Sequence, residues 1–130
     1  MFARTAMSLG GQFEGVWCIA SSIFRRVADG NLSLIVMPLI VAEMVYVAGS
    51  LLRWTRRVTA DRLGELLAAD GLVVMESATL DRALRLYGER PRLDFADAYL
   101  AAVSLEVGPA VVASLDADLG TVEGIVRIAS

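Results

Sequence analysis

The chain has 130 residues, of which 56% are hydrophobic and 21% charged, so it is long and apolar enough to bury one domain's core and is not an intrinsically disordered segment. Its formal net charge of -3 excludes an overall basic field for nucleic acid, and its basic residues, all arginine, leave only a local contact. The lack of histidine excludes a Ser-His-Asp triad and histidine metal ligands, while the lone Cys18 excludes a disulfide framework or a multi-cysteine zinc site and suits a reducing cytosol.

The amino-terminal stretch "MFARTAMSLGGQFEGVW" breaks its apolar character with glycines, Gln12 and Glu14, and does not read as a signal peptide. A helix is expected from Ile19 to Ala28, stopped by "ADGN" with Gly30 as its cap. The next stretch, residues 32–52, has the length of a bilayer span, but Pro38 interrupts it and Glu43 would carry a carboxylate into the lipid. It reads better as a strand over Leu32–Met37, a turn at Pro38 and a buried helix from about Leu39 to Leu52.

Residues 59–71, "TADRLGELLAADG", follow as a helix capped by Thr59 or Asp61 and closed by Gly71. Then come a short strand in "LVVME", a helix in "TLDRALRLYGERP" closed by Gly88 and Pro91, and a helix over Phe95–Glu106. The segments "AVVASLD" and "GIVRIA" read as the last two strands. Strands alternating with helices predict a mostly parallel sheet with helices on its faces.

Four acids stand out in this arrangement. Ligands of open α/β sheets bind at the carboxyl ends of the strands, where Asp97 opens a helix and Asp116 and Asp118 follow directly on "AVVASL". Glu43 lies early in its helix between Val41, Ala42, Met44 and Val45, and an acid so surrounded needs a partner. Each position also has a purely structural explanation. Asp94 reads as an N-cap, and Asp97 sits at the third position, where Glu or Gln is the usual capping-box residue. Asp116 and Asp118 fit a polar turn, and Glu43 fits a pairing with a buried arginine. Arg53, Arg56, Arg57 and Arg62 beside Trp54 are candidates for phosphate contact, or else a solvated helix end.

Taken together, "PLIVAEMVYV", "LDFADAYLAA" and "VVASLDADL" resemble, in order and approximate spacing, the motifs of PIN-domain ribonucleases, and especially the VapC-like toxins of bacterial toxin-antitoxin pairs. The resemblance runs over residues 23–130 and implies a three-layer α/β/α sandwich around a mostly parallel sheet. It also implies a Mg2+- or Mn2+-dependent hydrolysis of RNA, with Glu43, Asp97 and Asp116 as catalytic metal-site acids and Asp118 as an accessory metal ligand. Carboxylates without histidine suit such a hard cation. The same resemblance implies a homodimer with a small cognate antitoxin, while the lone Cys18 suits a cytoplasmic location and Pro38 and Glu43 disfavour membrane association.

The departure lies in residues 1–22, an atypical segment that makes the first central strand doubtful. Family members begin with a strand ending in aspartate, typically Asp-x-Asn, and this segment contains no aspartate. With suitable codons, the nucleotides for "RTAMS", read in a shifted frame, give Asp-x-Asn-Val. The expectation is a metal cluster short of one acid and weakened in activity, the alternative being an inactive PIN-like remnant that serves as a protein-interaction module.

Overall fold

The computed structural model describes residues 22–23, 25–108, 111–113 and 117–128. Helical backbone at residues 22–23 and 25–28 leads to Gly30, whose φ of 78° lets the chain reverse while its amide donates to the Val27 carbonyl and that of Asn31 to Arg26. The elements that follow are β1 (Leu34–Val36), α1 (Pro38–Ser50), α2 (Arg56–Leu67), β2 (Leu72–Val74), α3 (Ser77–Glu89), α4 (Phe95–Val107), β3 (Val111–Ala113), a 3-10 turn (Ala117–Thr121) and β4 (Val126–Ile128).

Both strand pairs among the described residues are parallel, as the alternation requires. β1 pairs with β2 in the register Leu34 to Leu72 and Val36 to Val74, and β3 pairs with β4 from Val111 to Val126. Helices α1 and α2 form the crossover between β1 and β2, and α3 and α4 lie between the two pairs in sequence. The two pairs are separate two-stranded sheets within the described residues.

Local chemistry moves several boundaries from where the sequence pattern puts them. Pro38 does not make a turn; it is the first residue of α1, where its missing N–H is no loss and its fixed φ suits the helix. α2 starts earlier than either Thr59 or Asp61, because Thr55 caps it, its hydroxyl accepting the Val58 amide at 3.2 Å. Thr59 is instead fully buried, its hydroxyl donating to the Thr55 carbonyl. Gly71 lies past the end of α2 with φ of 86°, and a Cβ there would run into the Val27 side chain. α3 begins at Ser77 after Glu76, which holds a left-handed backbone at φ 55°, and it continues one residue beyond Gly88. The strands are shorter than their apolar runs. A run of apolar residues marks burial potential, whereas a strand ends where its ladder partners end.

The core explains the helix compositions. One cluster joins Val41 and Val45 of α1, Leu63 of α2, Leu80, Ala83, Leu84 and Tyr87 of α3, and Phe95, Ala98 and Ala102 of α4. A second joins Leu93 and Ala101 to Leu119, Val122 and Ile125 near the last strands. α4 touches both clusters, which is why it is apolar nearly all round and rich in alanine. α1 is equally apolar but buries only Val41, Val45 and Ala48, leaving Leu39, Ile40, Tyr46 and Val47 exposed. It is therefore not the fully buried helix that its sequence suggests.

Candidate metal centre

The three described candidate acids, Glu43, Asp97 and Asp118, sit on different elements, and α4 is the common reference. Asp94 precedes α4 with extended backbone, and its Oδ1 accepts the amide of Asp97 at 2.8 Å. The capping role read for Asp94 is thus realised, and it also fixes the first helical turn, which carries the partly exposed Asp97. One turn further along, Ala101 packs with Leu119, the neighbour of Asp118. Asp118 lies half-buried in the first turn of the 3-10 segment after β3, and its carbonyl accepts the Thr121 hydroxyl at 2.6 Å. Asp116 lies outside the described residues.

Glu43 lies on α1. At about 100° per residue, Val41, Val45 and Ala48 define the inward face of α1, and Glu43 stands about 200° around the helix from Val41. It is exposed, so the expectation of a buried acid in need of a partner fails, and water solvates it instead. Its side of α1 lines an apolar cleft of about 260 Å³ with Ile40, Met44, Val47, Trp54 and Leu63. Among the described residues, no three acids or cysteines stand close enough together to hold a metal ion. Glu43, Asp97 and Asp118 therefore do not make a three-carboxylate set by themselves, although α4 packs against the elements that carry the other two. As donors, all are hard carboxylate oxygens of the kind a small divalent cation selects.

The arginine run divides by environment. The Arg56 guanidinium is turned into the protein, donating to the carbonyls of Tyr87, Arg90 and Leu93. Arg57 pairs with Asp61 on the exposed face of α2 at 3.6 Å. Arg62 lies over the Trp54 ring with its guanidinium carbon 4.9 Å from the centroid. Arg53 is exposed and has positive φ.

A group not singled out in the sequence lies at the carboxyl end of β2. Tyr99 of α4 donates its hydroxyl to Glu76 at 2.7 Å, and Thr79 donates to Glu106 at 2.6 Å. The Tyr99 phenol is raised above its ordinary value of 10.0, first by the hydrogen bond to Glu76, then by burial and by the charges of Glu76 and Glu106. No spacing signal marks these residues in advance, because Glu76 and Tyr99 are 23 positions apart.

The parallel strand pairs with helices between them define an α/β fold. The PIN domain family model matches residues 16–125, and the chain belongs to the PIN domain family. No curated protein and no solved structure matches the chain significantly. Among the described residues, no helix is long and apolar enough to cross a membrane.

Proposed function

We propose that this PIN domain is a divalent-metal-dependent endoribonuclease of the VapC toxin type. The observation that carries the reading is the match to the PIN family over residues 16–125, a span that includes all four candidate acids. Asp97 occupies the capped first turn of α4, Asp118 follows β3, and Ala101 and Leu119 pack their elements together. On this reading Glu43, Asp97 and Asp116 hold Mg2+ or Mn2+, with Asp118 as the accessory acid beside Asp116. The ion, when bound, supplies charge neutralisation at the scissile phosphate and acidifies a water. The protein's own part is to present hard carboxylate oxygens that attract a cation and, without one, repel RNA, with the Asp94 cap fixing the backbone turn that carries Asp97. Residues 23–130 form the nuclease domain. It acts in the cytoplasm as a homodimer restrained by a small antitoxin.

The test is cleavage of RNA by this chain with and without EDTA, together with calorimetric titration of Mg2+ or Mn2+. Chelator-sensitive cleavage and specific binding are expected. A folded chain that binds neither ion would instead be an inactive remnant serving as an interaction module.

A further inference from the structure

We propose that Arg56 is a positioning residue for Asp97, acting through the connection between α3 and α4; this rests on the reading of Asp97 as a metal ligand. Arg56 is the first residue of α2, yet it is only partly exposed. Its Nε–H donates to the Tyr87 carbonyl at 2.9 Å, and its Nη2 donates to the carbonyls of Arg90, at 3.0 Å, and of Leu93. The guanidinium carbon stands 3.9 Å over the Tyr87 ring. The Tyr87 and Arg90 carbonyls belong to the carboxyl end of α3, where the helix dipole favours a cation.

The pinned segment runs straight into the site. The Leu93 amide donates back to the Arg90 carbonyl at 3.1 Å, closing the turn, and the Leu93 side chain is buried in the second cluster. The next residue is Asp94, whose carboxylate holds the Asp97 amide. Tyr87, stacked under Arg56, meets Phe95 of the first turn of α4 edge-on at 6.3 Å. Arg56 therefore fixes both the backbone that enters α4 and the ring that Phe95 packs on. Binding three diverging carbonyls while stacking on a ring takes a planar fork with several N–H donors, and the single ammonium of lysine does not reproduce it. The donors committed to these carbonyls are not offered to RNA phosphate.

The experiment compares the full-length chain with Arg56→Lys, which keeps the charge. In metal-free buffer, amide hydrogen exchange over residues 93–98 is expected to rise in the variant, while exchange in the middle of α3 stays as it was. With Mn2+ as probe, affinity and kcat for RNA cleavage are expected to fall roughly 10 to 100-fold, the range seen when a ligand's supporting contact is lost, with KM for RNA unchanged. A raised KM with unaltered Mn2+ affinity would make Arg56 a phosphate contact and overturn the proposal, as would unchanged exchange over residues 93–98. Should the lysine variant fail to fold, Tyr87→Leu removes the stacking face but keeps the three carbonyls, and the same pattern is expected from it; its absence overturns the proposal too. If the parent chain neither binds Mn2+ nor cleaves RNA, the nuclease reading fails on its own. The exchange measurement then still decides whether Arg56 holds the entry to α4.

Discussion

Asp94 and Asp97 are three residues apart and have different tasks, and single substitutions separate them. Asp94→Ala removes the acceptor for the Asp97 amide and is expected to cost about 1 kcal/mol in chemical denaturation, whereas Asp94→Ser, which can still cap, costs little. Asp97→Asn is expected to abolish the calorimetric metal response with the thermal midpoint little changed, since the cap depends on the Asp97 amide and not on its carboxylate. A large loss of stability would mark Asp97 as structural. The cap was legible in the sequence because it is a local relation between an acid and the helix it precedes. The exposure of Glu43 was not legible. Its apolar neighbours in sequence point to other faces of α1, so composition around a helical residue says little about what surrounds it in space.

At the same scale, Glu76 and Tyr99 give a pH signature. The phenol holds its proton more tightly in the folded chain than in the unfolded one. Its contribution to stability is therefore fully present below about pH 10 and lost as pH rises through the raised folded value. Glu76→Gln removes the charged acceptor, and ultraviolet titration of the tyrosines is expected to show one phenol moving down towards the ordinary range.

At the scale of elements, the helices followed from periodicity and end chemistry better than the strands did. α3 and α4 lie close to where their leucine and alanine spacing puts them, because long amphipathic or alanine-rich runs have few other ways to bury themselves. Pro38 misled because proline stops a helix only when it falls inside one; at the first position it starts one. Arg56 was not legible as a support because its acceptors lie 31 to 37 residues away and are main-chain atoms, which leave no trace in side-chain patterns. The packing of α3 against its neighbours sets the most sensitive positions. Leu80 is fully buried in the first cluster, so Leu80→Ala is expected to cost about 2–5 kcal/mol, measured as a lower denaturation midpoint.

For the whole molecule, the family resemblance and the family match agree on a parallel α/β architecture, while residues 1–22 contain no aspartate. Replacing that segment with a strand ending in Asp-x-Asn-Val is expected to raise metal-dependent RNA cleavage, because it adds a carboxylate to a set otherwise dependent on Glu43, Asp97, Asp116 and Asp118. Equal rates for the original and replaced chains would show that the extra acid is dispensable.

The position of α4 between two clusters has a thermodynamic consequence. Phe95, Ala98 and Ala102 serve one cluster and Ala101 the other, so neither can open without stripping a wall from its neighbour. Leu86 of α3 also packs against both. Two hydrophobic centres in one small chain could melt separately, yet the helix they share links their fates. Scanning calorimetry is therefore expected to record a single endotherm whose calorimetric and van't Hoff enthalpies agree, the mark of all-or-none unfolding.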